Sequence, residues 1–279
     1  MRLDKYMAEE YPEHSRAIWQ KYIELGLVYV NDCPAYICRR EVSEDDDITI
    51  GTLPVAYDTS DTLPVVYEDD HVVVVDKPSG VLTHAKGALT EEFSVAEFVR
   101  PRMNEPDDTN RPGIVHRLDR MTSGVLIAAK DAATKRLLQK QFQDRKAHKT
   151  YLAVVSGRPK LDEARLDLPI ERNPKTPSLF RVGAKGKPAV TRYKVLAANG
   201  KYSVVELRPE TGRTHQLRVH MAYIGCPIVG DTVYGGPKSP IHRLCLHALE
   251  LEITIPPSRR TTFRAPLPSD MQQLVEEIS

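Results

Sequence analysis

The sequence is short of long apolar runs and of aromatic residues, which make up 6% of its 279 residues. Its apolar runs are short, such as Val72–Val75, whereas a membrane-spanning helix needs about 20 consecutive apolar residues. The first residues also lack the charged and apolar regions of a secretion signal. We therefore expect a cytoplasmic protein that has no membrane partner.

Cysteine and recognisable cofactor motifs are equally scarce. The four cysteines are Cys33, Cys38, Cys226 and Cys245. They form no CxxC pair, so neither a zinc site nor a disulfide framework is indicated, and free thiols in a reducing compartment are expected. No Gly-rich phosphate loop or cluster of metal ligands stands out either. These absences favour a protein that uses no metal and no cofactor.

Hydrophobic residues make up 41% of the chain and charged residues 28%, as in an ordinary soluble globular protein. The net charge of +1 conceals an uneven distribution. Residues 1–70 contain 6 Lys and Arg against 16 Asp and Glu, and residues 71–279 contain 33 against 22. A basic second part favours a polyanionic partner there, although a basic face that meets only solvent is the commoner explanation of such runs.

The most basic part of the chain surrounds a single carboxylate, Asp119. Residues 111–151 hold 10 Lys and Arg and only 3 Asp and Glu. The neighbours of Asp119 include Arg111, His116, Arg117 and Arg120. Nearby cations favour the ionised form of an acid, which suits it to nucleophilic or electrostatic catalysis. From spacing alone, a buried ion pair beside a tight turn is equally consistent with this pattern.

Four motifs give the chain a resemblance to a known family. They are KPSGVLTH at 77–84, HRLDRMTSGVLIAAK at 116–130, HKTYLAVVSG at 148–157 and TGRTHQLRVHMAYIGCPIVGDTVYG at 211–235. Their sequences and order resemble the RluA-type pseudouridine synthases, which isomerise uridine in RNA. The resemblance extends from about Leu63 almost to the C-terminus. Four ordered matches are far more specific than one short motif.

The first 51 residues predict a small α+β module. Apolar spacing indicates two helices, with Ser15 as the N-cap of the second, and short strands follow near residues 27–32 and 47–50. This order resembles the S4 RNA-binding domain, in which the second helix meets RNA; here that helix offers Arg16 and Lys21. The module is acidic, so weak RNA binding or a purely packed role are both open. Residues 52–64 read as a linker.

Residues 65–279 predict a second domain of the α+β class, with a mixed or antiparallel central sheet and peripheral helices. Strand-like segments dominate, and helices occur irregularly rather than in a βαβ rhythm. One helix is expected after Asp131, with Leu137, Leu138 and Phe142 facing inward, and another from Thr214 to Gly225. The resemblance implies that this domain is catalytic.

The resemblance implies three catalytic residues. Asp119 matches the carboxylate that acts at the glycosidic centre when the N1–C1′ bond breaks and the C5–C1′ bond forms. Arg218 matches the basic residue that pairs with this carboxylate, and a guanidinium can bond both carboxylate oxygens. Tyr151 matches the active-site tyrosine, whose ring can stack on uracil and whose hydroxyl can meet the C5 proton.

Other residues are candidates for RNA binding. Arg117 matches a family arginine that fills the gap left by a flipped nucleotide, although anchoring a phosphate or pairing with Asp119 is about as consistent with its position. Arg120, Lys149 and Arg213 are candidate phosphate contacts, with a solvated basic face as the alternative. His116 and His215 are expected to hydrogen-bond the backbone near their turns rather than to catalyse.

The sequence thus predicts an isomerase that converts specific uridines of structured RNA to pseudouridine. The S4-like module favours large-subunit ribosomal RNA, with transfer RNA as the alternative. A catalytically silent RNA-binding or ribosome-assembly protein is a second alternative, which the intact Asp119, Tyr151 and Arg218 disfavour. A glycoside hydrolase would need a second cooperating carboxylate.

Met121 replaces an acidic residue that is common after the motif HRLDR. A monomer is expected because no long apolar heptad is present.

Overall fold

The computed structural model describes residues 1–12, 15–24, 26–43, 45–51, 62–84, 93–105, 109 and 111–279. Its first part is a small unit of two helices and three strands: α1 (Leu3–Glu10), α2 (Arg16–Glu24), β1 (Val28–Val30), β2 (Cys33–Ala35) and β3 (Ile48–Ile50). The strands form an antiparallel sheet in the order β2-β1-β3. The predicted helices and strands of this module are confirmed, and β2 is an addition.

The strand β2 was not expected because Pro34 lies inside it. Pro34 can occupy this strand since β2 is at the edge of the sheet, where a missing N–H removes no ladder bond to a further strand. The turn from β1 to β2 consists of Asn31 and Asp32, whose φ angles of 54° and 60° fit the two-residue turns of tight hairpins.

A buried carboxylate joins the two helices of this unit. The side chain of Asp4 is fully buried among apolar residues such as Leu3, Met7 and Trp19. It accepts hydrogen bonds from Arg2 Nη2 (2.8 Å), Arg16 Nη2 (3.0 Å) and Gln20 Nε2 (2.6 Å). Arg16, predicted to contact RNA, therefore has a structural partner. The side chain of Lys21 lies outside the described residues.

Acid should unfold this unit selectively. Burial alone would raise the pKa of Asp4, but the hydrogen bonds from Arg2, Gln20 and Arg16 lower it to about 2, from an ordinary value of 3.8. A carboxyl with a depressed pKa contributes stability above its unfolded pKa, and this stability is lost as the pH falls from about 4 towards 2. Fluorescence of Trp19, the single tryptophan of the chain and part of this core, can follow the transition.

The prediction is tested with the variant Asp4→Asn, and the exposed Asp32→Asn is the control. Asp4→Asn should already be destabilised at neutral pH and should show a weaker dependence on pH between 4 and 2. Asp32→Asn should follow the wild type. Identical acid profiles for Asp4→Asn and the wild type would contradict the assignment.

The second part of the chain is built on one large sheet. The strands are β4 (Val65–Glu68), β5 (Val72–Lys77), β6 (Ser123–Ala129), β7 (His148–Ser156), β8 (Glu163–Asp167), β9 (Ile170–Arg172), β10 (Phe180–Val182), β11 (Val190–Ala198), β12 (Tyr202–Pro209), β13 (Leu246–Ile255) and β14 (Arg259–Arg264). Nine strands form the sheet in the order β4-β5-β6-β13-β7-β12-β11-β8, with β14 paired to β13, and β9 and β10 form a separate hairpin.

The sheet is mixed, as predicted. Among the described strands, β6 and β13 form the only parallel pair, and all other pairs are antiparallel. The helices are α3 (Val95–Val99), α4 (Ala132–Gln143), α5 (Gln216–Tyr223) and α6 (Ser269–Ile278). This arrangement confirms the α+β class; β8, β9, β10, β14 and α6 were not anticipated. None of the helices in the described ranges has the length and apolar character required to cross a membrane.

The predicted cap of α4 is confirmed, but two other predictions about the helices need correction. Asp131 caps α4 as expected, since its side chain accepts from Thr134 N at 2.8 Å. However, Leu137 is 45% exposed, whereas Leu138 is fully buried. The helix after Thr214 begins at Gln216, and His215 occupies its N-cap position.

The described residues form three hydrophobic clusters: one of residues 3–48, one of residues 63–278, and a small third one of Ile170, Ala189 and Val219. The predicted linker falls mainly on residues 52–61, which lie outside the described residues. The proposed boundaries at residues 51 and 65 therefore stay predictions, as does the S4-like nature of the first unit.

Candidate active site

Asp119 lies on the loop that leads into β6, at the edge of a cavity. Its side chain is 19% exposed. The loop is short and turned, with Thr122 N donating to Asp119 O at 3.0 Å. Gly124, at the start of β6, has a φ of 114° and would place a Cβ 2.2 Å from Ala248 O, so glycine is needed where this loop enters the sheet.

The turn after β5 fixes this loop in place. The fully buried Lys77 Nζ donates to Pro78 O (2.8 Å), Val81 O (2.9 Å) and Arg120 O (3.0 Å), the last carbonyl being next to Asp119. Thr83 Oγ1 donates to Leu118 O at 2.9 Å on the other side. The motifs at 77–84 and 116–130 therefore occur together because the first supports the backbone of the second.

Arg218, on α5, is the cation that faces Asp119. Its Nη1 lies 3.7 Å from Asp119 Oδ2. The other side of the guanidinium is bound to the buried Asp231, with Nε at 2.7 Å from Oδ2 and Nη2 at 2.8 Å from Oδ1. Asp231 and Asp119 both raise the pKa of Arg218 against the opposing effect of burial. The Arg218–Asp119 pairing implied by the resemblance is present, and Asp231 is a partner that the sequence did not reveal.

A second polar side chain of the α5 motif approaches Asp119. His215 Nε2 lies 4.0 Å from Asp119 Oδ2, and His215 Nδ1 lies 2.7 Å from the hydroxyl oxygen of Tyr234. His215 bonds to a side chain, so the expectation that it hydrogen-bonds the backbone near its turn is wrong. His116 does bond to the backbone, since its Nε2 accepts from Ile127 N at 3.1 Å.

Tyr151 lies on β7 in the middle of the sheet, where it pairs with Leu207 on one side and Ala248 on the other. It is 9% exposed and lines the same cavity as Asp119. Burial raises the pKa of Tyr151, and the charge of Asp119 raises it further. The phenol is therefore protonated at neutral pH and can donate a hydrogen bond.

One open cavity of about 550 Å³ is lined by Asp119, Tyr151, His215 and Arg218. Its volume is within the range typical of small-molecule sites. The walls come from the loop that carries Asp119, from β7 and from the start of α5, so three of the four motifs meet there. Within the described residues, no group of three or more His, Cys, Asp or Glu side chains is arranged to hold a metal ion.

The predicted RNA-binding residues of this domain differ in their placement. Arg117, Lys149 and Arg213 line the cavity, whereas Arg120 does not. Arg117 and Arg213 are exposed, and Arg213 Nε donates to Pro188 O at 3.1 Å. Arg120 is half-buried, and its Nε and Nη1 atoms have almost no contact with solvent.

Lys149 is a partly buried cation in the wall of the cavity. No described residue offers its ammonium a hydrogen bond or an ion pair, and burial lowers its pKa to about 8. A desolvated cation in a cavity gains most from an anionic or strongly polar ligand. The position fits a phosphate or a carbonyl oxygen of the substrate.

A family model described as RNA pseudouridylate synthase matches residues 71–223. Among curated proteins, an uncharacterized RNA pseudouridine synthase of Aquifex aeolicus is 38% identical over 248 residues, covering 86% of this chain and 78% of that protein. Ribosomal large subunit pseudouridine synthase D of Pasteurella multocida is 35% identical over 297 residues, covering 99% of this chain and 91% of that protein.

Solved structures give the same result. Human RNA pseudouridylate synthase domain containing 1 aligns with a TM-score of 0.61 and 28% identity, over 78% of this chain and 94% of that chain. Human RNA pseudouridylate synthase domain containing 4 aligns with a TM-score of 0.62 and 24% identity, and supports the fold alone.

Proposed function

Because the chain belongs to the RNA pseudouridylate synthase family and is an RNA pseudouridine synthase, we propose that its substrate is uridine in large-subunit ribosomal RNA. Several relatives that match nearly the whole chain, including those of Pasteurella multocida and Haemophilus influenzae, carry the name large subunit pseudouridine synthase D. The basic character of residues 71–279 supports a structured RNA as the partner.

The observation that supports Asp119 as the nucleophile is its pairing with Arg218 inside the cavity. The guanidinium lies 3.7 Å from the carboxylate, and its two hydrogen bonds to Asp231 fix the guanidinium in place. An ionised, fixed carboxylate is required whether it attacks the base or the sugar. In either route the N1–C1′ bond breaks, the C5–C1′ bond forms, C5 loses a proton and N1 gains one, so the reaction is balanced within one nucleotide.

Tyr151 is proposed to contact the uracil directly. Its ring lies in the wall of the cavity and can stack on the base. Since the phenol stays protonated at neutral pH, its hydroxyl is better suited to donate a hydrogen bond to the base than to accept the C5 proton. This refines the expectation that the hydroxyl meets the C5 proton.

Access to the uracil requires the nucleotide to leave its stack, which costs a few kcal/mol. Arg117 is exposed at the cavity and is proposed to occupy the space that the flipped nucleotide vacates. Lys149 is proposed to bind a phosphate or a uracil oxygen inside the cavity, and the exposed Arg213 in its wall to bind a phosphate. The unit of residues 1–51 is proposed as a weak S4-like RNA-binding module, in which Arg16 also stabilises the fold through Asp4.

The RNA target can be tested by mapping pseudouridine in cellular RNA with and without this protein. We expect one or more sites to disappear from large-subunit ribosomal RNA and none from transfer RNA. The purified protein should then modify the corresponding ribosomal RNA transcript. Loss of sites only in transfer RNA would replace the proposed target. If no site disappears while the protein binds RNA, the catalytically silent alternative is favoured.

A further inference from the structure

His215 has an unusual backbone conformation for a residue with a side chain. Its φ of 55° lies in the left-handed region, immediately before α5. Such conformations are uncommon outside glycine, and they persist where surrounding contacts impose them. Here the loop is closed by Gln216, whose Oε1 accepts from Thr211 Oγ1 (2.7 Å) and Arg213 N (3.0 Å). The fold therefore fixes the direction of the His215 side chain.

The hydrogen bond between Tyr234 and His215 is linked to which nitrogen of His215 carries the proton. Phe180 N donates to the Tyr234 hydroxyl oxygen at 3.1 Å, so this oxygen already accepts one bond. His215 Nδ1 lies 2.7 Å from the same hydroxyl, and the tautomer of His215 sets which of the two donates. If Tyr234 donates to Nδ1, a neutral imidazole must carry its own proton on Nε2.

The Nε2 atom faces the carboxylate of Asp119. His215 Nε2 and Arg218 Nη1 approach the same oxygen, Oδ2, at 4.0 Å and 3.7 Å. Burial lowers the pKa of His215 to about 4, although Asp119 opposes this, so the ring is neutral at pH 7. Contacts of this length in a free enzyme commonly shorten when substrate is bound.

We propose that His215 is a positioning residue, in which Tyr234 keeps the proton on Nε2 so that Nε2–H and Arg218 together hold Oδ2 of Asp119. The proposal rests on Asp119 being the nucleophile. His215 adds a donor without adding a positive charge, so it orients the carboxylate without further lowering its reactivity. Tyr234 acts one step away, through the imidazole.

The kinetic test compares three variants in steady-state assays on the RNA substrate. His215→Asn removes the donor at the Nε2 position and should lower kcat about ten- to hundredfold, the effect of losing a hydrogen bond to a charged group, with KM little changed. His215→Gln places an amide nitrogen near the Nε2 position and should recover a large part of kcat. The matched control is His242→Asn, since His242 is exposed and also left-handed, with a φ of 54°.

The spectroscopic test does not depend on activity. Nitrogen-15 NMR of the full chain at neutral pH should show His215 as the Nε2–H tautomer, assigned by the signal that His215→Gln removes. Tyr234→Phe should shift this histidine toward a mixture of tautomers. An Nδ1–H tautomer in the wild type would overturn the proposal, and so would an unchanged kcat in His215→Asn. It would also be overturned if His215→Asn and His215→Gln lost kcat equally and lost thermal stability to the same extent. If Asp119→Asn stays active, the nucleophile assignment fails instead, and the tautomer result is unaffected.

Discussion

Asp119→Asn is expected to reduce pseudouridine formation by at least roughly a thousandfold, while the protein stays folded and binds RNA. The amide has nearly the shape of the carboxylate but is a far weaker nucleophile and carries no charge for Arg218 to orient. The structure loses little, because the nearest polar nitrogens, Arg218 Nη1 and His215 Nε2, are 3.7 Å and 4.0 Å from Oδ2. The backbone bond from Thr122 N to Asp119 O does not involve the side chain.

The measurement is release of the C5 hydrogen from labelled uridine in the RNA, together with RNA affinity and a thermal unfolding curve. A suitable control is Asp270→Asn, because Asp270 lies 3.8 Å from Arg243 in a similarly loose pair and does not line the cavity. This control should keep wild-type turnover. If Asp119→Asn retains turnover, the carboxylate is not the nucleophile; if it loses RNA binding or unfolds, its role is structural.

The sequence predicted which residues form the site better than it predicted the contacts between them. Asp119, Tyr151 and Arg218 were identified from motifs, yet their separation in sequence could not place them in one cavity. The contact depends on β7 lying next to β13 and on α5 returning to the loop before β6. These long-range arrangements follow from packing of the whole sheet, which local patterns do not encode.

The sequence did not reveal the roles of residues that are proposed to act by holding other residues of the site in place. Asp231, Tyr234 and His215 all belong to the motif at 211–235, but nothing in their spacing indicates that they converge on Arg218 and Asp119. An aspartate within the same motif as the proposed catalytic Arg218 was the available signal for the pair, since buried charges require partners.

The error at α4 has a similar origin. Its inward face includes Thr134, Leu138 and Gln141 rather than Leu137. Gln141 exchanges two hydrogen bonds with the backbone of Thr254, at 2.7 Å and 2.9 Å. Gln141 is therefore a polar residue on the inward face of the helix, with its hydrogen bonds satisfied. A search for apolar periodicity does not identify such a position.

Asp231→Asn is expected to have the largest effect on stability. It would leave Arg218 buried with a neutral partner, and breaking a buried ion pair costs about 3–5 kcal/mol. The amide can keep one of the two bonds of 2.7 Å and 2.8 Å, but its NH2 group would face a guanidinium N–H. For a domain of this size, we expect the thermal midpoint to fall by roughly 6–20 °C.

Activity should fall as well, because Asp119 would become the nearest anion to Arg218. The guanidinium would move toward it, and a displacement of about 1 Å at a reacting group can cost about a hundredfold in rate. The matched control is Asp162→Asn, which breaks an exposed pair with Arg158 at 2.6 Å and should change stability by less than about 1 kcal/mol. Assays well below the lowered midpoint separate the two effects. A folded Asp231→Asn protein with wild-type kcat would mean that Arg218 does not need its clamp, and equal stability losses in the two variants would remove the distinction between the buried and the exposed pair.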